Sequence, residues 1–162
     1  MASTATPARL EHPTLDALPK WPLRTIAVLA TVDERPYAIP VSAPLRAGDR
    51  RIVLSLRKSR GSLTRLRAHP PVALVVLTAG DIAFTALGRA RVFEEPLAGT
   101  SDSVGVAIDV EQIVDHRQDA FAIESGIDRR WIDEDEQRAL MARVAALTDH
   151  VASAVPDPPS PA

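Results

Sequence analysis

The turn Arg57-Lys58-Ser59-Arg60-Gly61-Ser62 packs three cations, two hydroxyls and a glycine into six positions, directly before Leu63-Thr64-Arg65-Leu66-Arg67. Leu63 and Leu66 have the spacing of one helical face, so the turn opens a helix, and Ser59 or Ser62 suits its N-cap. The first N–H groups of a helix lack internal partners and carry a partial positive charge. An N-terminus wrapped in Arg and Lys is therefore prepared to hold a phosphate. A solvated basic loop tip has the same composition, and this stretch alone leaves both readings open.

The elements around the turn fix where it must sit. Arg51 to Leu56 alternates, with Ile52, Leu54 and Leu56 on one side and Val53 and Ser55 on the other, which predicts a half-buried strand. Pro70-Pro71 ends the helix. The run Val72 to Leu77 is apolar on both faces, as expected of a strand covered on both sides. Upstream, Thr25 to Val32 reads as a first strand. After the turn Asp33-Glu34-Arg35 a second runs from Pro36 to Pro44, where Pro40 and Pro44 suit an edge, a bulge or a strand end. Arg46 to Asp49 reads as a turn. Downstream, Ala79-Gly80-Asp81 reverses the chain into a strand from Ile82 to Val92, in which Gly88 marks a bend or a close approach. A sixth strand spans Val104 to Val110. Six strands joined mainly by short turns predict a mainly β protein, a closed or nearly closed antiparallel barrel, with one short helix after the third strand and one C-terminal helix. Asp133 can cap that last helix, with Glu136 in a capping-box position, and Leu140, Val144, Leu147 and Val151 give it an apolar face. Residues 1–20 read as a mobile N-terminal segment in which Trp21 follows as a packing residue, 21–154 as the barrel domain, and 155–162 as a disordered proline-rich tail.

Composition narrows the classes. The chain has 162 residues, enough for one domain with an ordinary core, and no cysteine, which excludes disulfides and thiolate metal sites. A net charge of −2 argues against generic nucleic-acid binding. The charges are unevenly placed, however: Arg46 to Arg91 holds ten Lys/Arg against Asp49 and Asp81, a net of +8, while Glu94 to Glu136 has a net of −10. Such halves suit an intramolecular or subunit contact, or separate a basic anion site from an acidic surface. No apolar run approaches membrane-spanning length and no signal-peptide core is present, so a soluble cytoplasmic protein is the expectation. The histidines at 12, 69, 116 and 150 lack metal-ligand spacing, and Asp133 to Glu136 suits helix capping better than metal binding, so no metal is expected. No acid/base constellation is legible, and the catalytic residues are unassigned.

The run Ile26 to Val41 resembles the opening hairpin of the pyridoxamine 5′-phosphate oxidase-like, flavin-binding split-barrel superfamily, and Leu54 to Pro70 is similar to its strand-to-helix cofactor segment. The resemblance covers Trp21 to Val110. It implies a six-stranded split barrel, usually a homodimer with the cofactor at the subunit interface, and an FMN cofactor or alternatively a deazaflavin. The family's Thr or Ser, followed after three residues by Ser-Arg-Lys, falls on Ser55 and Ser59-Arg60, with Gly61 in place of the lysine. The implied cofactor-binding set is Ser55, Arg57, Lys58, Ser59, Arg60 and Ser62. The second strand lacks the family's basic residues, since 39–44 carries no Arg or Lys. The resemblance also places His116, Arg130 and Trp131 on the substrate side, with Trp131 able to stack on a ring and Arg130 to pair with an anion. The implied function is a flavin-dependent two-electron oxidation or reduction of a small molecule. The alternative is a non-catalytic binding protein for a phosphorylated cofactor or a tetrapyrrole, for which His69 is a heme-ligand candidate.

Overall fold

The computed structural model describes residues 8–154, so the tail 155–162 and the first seven residues lie outside the described residues. One curled antiparallel sheet carries the fold. Its strands are β1 (Ile26–Val32), β2 (Pro36–Ser42), β3 (Leu45–Arg46), β4 (Arg51–Arg57), β5 (Pro71–Thr78), β6 (Ile82–Glu94) and β7 (Ser103–Asp115), in the order β2-β1-β5-β6-β7-β4-β3. Helix α1 (Gly61–Ala68) joins β4 to β5, and α2 (Glu134–Ser153) ends the described chain. The count is seven strands rather than six. The additional one is the two-residue β3, which occupies part of the predicted turn because Leu45 and Arg46 pair with Val53 and Ile52. β7 also runs beyond Val110 to Asp115, although polar Glu111 and Gln112 break its apolar pattern, because β6 supplies it with pairing partners over that length.

The sheet curls around an interior built from alternate residues of nearly every strand: Leu29, Ile52, Leu54, Leu74, Val76, Phe84, Val106 and Ile108 are fully enclosed, with Leu63 and Leu66 of α1 closing one side. The sequence pattern is right for β4, whose Ile52, Leu54 and Leu56 point inward. Its opposite face buries Val53 against Leu147 of α2, Leu97 and Ala107. β1 and β5 correct the expectation of strands covered on both sides. Ala27, Leu29, Val72, Leu74 and Val76 are buried, but Val28, Val32 and Leu77 on the outer face are 36%, 41% and 46% exposed. Val28 pairs with Val75 and Ala30 with Ala73, which joins these outward side chains into one apolar strip.

Gly88 decides the curvature. A Cβ at this position would lie 2.2 Å from the backbone oxygen of Asp109, and the register of β6 against β7 shifts between Leu87 and Gly88. Only a residue without a side chain lets the strands approach there, and the resulting irregularity bends and coils the sheet. Around the bulge, Arg51 Nε donates to Asp109 Oδ1 at 2.8 Å and Arg91 Nε to Asp109 Oδ2 at 3.1 Å, so a carboxylate of β7 ties both neighbouring strands. Burial works to raise the Asp109 pKa, but the hydrogen bonds and charges of Arg51 and Arg91 together outweigh it and hold the carboxyl below the usual carboxylate range. As the proline pattern predicts, β2 is an edge strand. The chain reverses between β5 and β6 with positive φ at Gly80 and Asp81.

Residues 8–20 have no regular structure, but they are held to the barrel: Leu10 N–H donates to Asp119 O, Arg50 and Arg46 donate to Asp16 O and Leu18 O, and Leu18 is buried. Trp21 packs against Phe84 at 5.6 Å between ring centroids, and its Nε1–H donates to Pro44 O. Among the described residues no helix is long and apolar enough to cross a membrane.

Gly88→Ala should lower unfolding stability by about 3 kcal/mol, since the clash is with backbone rather than with a movable side chain. Chemical denaturation measures this. An unchanged midpoint would mean that β6 and β7 can separate at the bulge without loss.

Candidate functional site

The curl brings β2 close to β4 across the open side of the sheet. A cavity of about 110 Å³ lies at this split, lined by Pro40 and Ser42 of β2, Ser55 and Arg57 of β4, Arg60 before α1, and Arg143 of α2. Ser55, Arg57 and Arg60 from the sequence-derived cofactor set thus meet in one place. Lys58 and Ser59 are exposed beside it, with the Lys58 N–H held by Asp102 O. Ser62 is 1% exposed, and its Oγ has no hydrogen-bond partner among the described residues.

The helix start departs from the expected cap. Arg60 occupies the N-cap position with no side-chain hydrogen bond, so neither Ser59 nor Ser62 caps α1, and of that residue only the backbone carbonyl accepts from the first turn, from the Leu63 N–H at 3.0 Å. Gly61 stands where the resembled family has lysine. The atoms nearest to a Cβ built there belong to the Arg65 guanidinium, the first at 3.1 Å. A cation from the next turn of α1 therefore occupies the space beside Gly61, while Arg65 Nε also donates to Thr31 Oγ1 and its guanidinium stacks 3.9 Å over Tyr37.

α2 closes the split and contributes charge of both signs. Asp133 caps it as predicted, accepting from the N–H of Asp135 and of Glu136. The capping box stays open, because the Glu136 carboxylate turns to Arg57 and accepts from its Nη2 at 2.5 Å. A full guanidinium charge attracts the carboxylate more strongly than a backbone N–H does. Arg57 Nε also lies 4.0 Å from Asp102. One turn on Leu140, and two turns on Arg143, line the split. Burial first, and then the neighbouring Arg57, make the Arg143 guanidinium less basic than usual, with Asp102 and Glu136 acting in the other direction. Sequence reasoning missed Arg143. Its signal was available: it shares a helical face with Leu140, Val144 and Leu147, where a charge is out of place.

The substrate-side residues are dispersed. Trp131 packs on Ala43, Leu140 and Val144, next to the split. The guanidinium over its ring, at 5.0 Å, belongs to Arg129, while Arg130 is exposed. Arg129 Nη1 also donates to Ser42 Oγ at 2.7 Å. His116 lies at the other end of β7, where its Nε2 is 2.7 Å from Thr85 Oγ1. His69 forms the C-cap of α1, with its backbone N–H on Arg65 O and its ring 3.7 Å from Asp33.

No family model matches the chain, and no curated protein matches it. Solved structures do. The chain is similar to several of them, all at 20% identity or less. One is a candidate pyridoxamine 5′-phosphate oxidase from Lactobacillus delbrueckii, with 20% identity and a TM-score of 0.49 over 56% of this chain and 84% of that one. A second is an FAD-binding protein from Mesorhizobium loti, with 18% identity and a TM-score of 0.46 over 55% and 81%. A third is a heme-binding protein from Mycobacterium smegmatis, with 16% identity and a TM-score of 0.48 over 60% of this chain and 52% of that one.

Glu136 is the group an incoming anion must compete with for Arg57. Glu136→Gln should tighten binding of inorganic phosphate at the split about threefold, since it removes a carboxylate from a site screened by solvent. Titration followed by amide shifts of 60–63 reads this directly. Weaker binding in the variant would mean that Glu136 orders the site instead of opposing its ligand.

Proposed function

We propose that this chain holds a flavin-type cofactor, FMN or a deazaflavin, by its phosphate end in the split of the barrel, and that as a homodimer it supports a two-electron oxidation or reduction of a small molecule. The observation that carries the reading is the convergence of Arg57, Arg60 and Arg143 with Ser55 on one cavity at the start of α1. Three guanidiniums against the two carboxylates of Glu136 and Asp102 leave a surplus of positive charge, and forked donors match phosphate oxygens. The Ser62 Oγ, enclosed in the first turn, does not line this cavity. The phosphate end of a flavin therefore fits the residues present.

The ring needs more room than one chain encloses, since about 110 Å³ is well below the size of pockets that take whole cofactors. A second copy seated on the apolar outer strip of β1 and β5 would supply the missing wall. This supports a homodimer with the cofactor at the interface. A bound flavin supplies hydride transfer. The chain's own residues then have simple tasks: Arg57, Arg60 and Arg143 neutralise the phosphate, while Leu56 and Leu140 keep water from the cavity wall. Trp131 beside Leu140, with Arg130 close in sequence, belongs to the substrate side of this proposal. His116, at the far end of β7, would join from the second copy. The proposed setting is the cytoplasm.

A second reading is retention of a phosphorylated cofactor or a tetrapyrrole without turnover. It is favoured by the cavity lining, which contains no carboxylate and no imidazole to move a proton. Reduction of the bound cofactor by a nicotinamide donor and its reoxidation by a substrate separate the two.

Wild-type protein mixed with FMN or a deazaflavin and then desalted should keep a flavin absorption band. Arg57→Ala combined with Arg60→Ala should lose it with the fold intact, because the Arg57 ion pairs are half exposed and worth less than about 1 kcal/mol. Stoichiometric cofactor in the double variant would overturn the assignment. Leu77→Asp, on the outer strip, should convert a dimer to a monomer in sedimentation equilibrium. A dimer that persists would place the interface elsewhere.

A further inference from the structure

A second cavity, of about 260 Å³, is lined by Arg129, whose guanidinium donates to Ser42 of the split. It forms where the irregular segment 124–129 crosses the start of β1 and the end of β5, and its walls include Arg24, Thr25, Thr78, Glu124, Asp128 and Arg129. The crossing is close: a Cβ on Gly126 would lie 2.8 Å from Thr78 Oγ1, so the segment is seated directly on the sheet. Thr25 and Thr78 are both buried hydroxyl residues in the floor.

Many guanidiniums elsewhere in the molecule are matched by a carboxylate. Arg51 and Arg91 share Asp109, Arg117 clasps Asp115, Arg67 meets Glu95 and Arg9 meets Asp119. Arg129 is half-buried and is matched differently. Its hydrogen bond goes to the neutral Ser42 Oγ, and its plane lies over Trp131. Neither Arg24 nor Arg129 has a carboxylate within salt-bridge distance among the described residues, and both cations line the same cavity. Burial, and after it the charge of Arg24, disfavour the charged form of Arg129. Arginine keeps its proton regardless, so the mismatch is a standing demand for negative charge between the two groups.

We infer that the cavity between Arg24 and Arg129 binds the anionic head, carboxylate or phosphate, of a small molecule. Two forked donors lining one cavity can grip such a head, and the Thr78 hydroxyl can add a hydrogen bond, the Thr25 hydroxyl being already given to Pro22 O. Glu124 and Asp128 line the same cavity, so a compact anion with a hydrogen-bond-donating or cationic remainder is accepted and a polyanion is repelled. Anion binding here does not rest on a flavin. The one step that does is the ligand's role: because Arg129 of this cavity donates to Ser42, which lines the split, the head would sit beside the cofactor, and its bearer is the molecule to be oxidised or reduced. Arg129, not Arg130, is then the residue that selects the substrate's charge.

The test uses the full chain without added cofactor, titrated separately with inorganic phosphate and with acetate, and followed by the backbone amide resonances of residues 124–129. At least one probe should shift them saturably, and the probe that does so identifies the head. Arg129→Gln and Arg24→Gln should each weaken this binding about tenfold or more, while Arg57→Ala with Arg60→Ala should leave it unchanged. The amides of 60–63 report the split in the same spectra, so failure of one site is seen separately from failure of the other. Amides that do not move with either probe, or that move equally in the Arg129→Gln variant while its spectrum remains that of a folded protein, would overturn the inference.

Discussion

The close approach of β6 to β7 at Gly88 is the constraint on which the rest of the molecule depends. These are the two longest strands, thirteen residues each, and a flat sheet built on them would leave β2 and β4 far apart. With no side chain at position 88, the Asp109 carbonyl can move in and the register can slip, and the pair coils. Coiling carries the sheet round until its two ends face each other. The split cavity is the gap that remains between them.

That gap is held open by charge as much as by shape. Arg57 and Arg143 would repel each other across a cavity with little water, and Glu136 and Asp102 moderate the repulsion without cancelling it. α2 is the element that makes the compromise. Leu147 fastens it to Val53 and Ala107 on the back of the sheet. Its first turn meanwhile delivers Glu136, and its third Arg143, to the split. A helix that reads as a packing element thus also tunes the electrostatics of the site. The hairpin edge strand β2 has a matching double part. Pro40 gives up a ladder donor where none is needed, and Ser42 carries the hydrogen bond from Arg129 that separates the two cavities.

Much of this was readable from residue order. Period-two alternation located β4 and its inward face, the Gly-Asp reversal located the β5–β6 turn, Gly88 announced the bulge, and Asp133 announced the start of α2, because each depends on local sterics or local hydrogen bonding. The basic turn before α1 was equally visible, and Ser55, Arg57 and Arg60 do line one cavity. Other features had no local signal. β3 exists only because β4 passes beside it. The outer faces of β1 and β5 look like core in sequence and are open in the folded chain. Glu136 fits a capping box until Arg57 comes within reach.

Sequence alone therefore determined the elements, their inward faces and the presence of a cationic helix start, all of which follow from backbone propensity and the period of burial. Tertiary structure decided which charges meet. Arg143 and Arg57 are brought together by the packing of α2 on the sheet, and Arg24 and Arg129 by the crossing of an irregular segment over β1 and β5. The reason is range: alternation and capping act over a few residues, whereas the electrostatic character of a cavity is set by groups far apart in the chain that only the curl of the sheet makes neighbours.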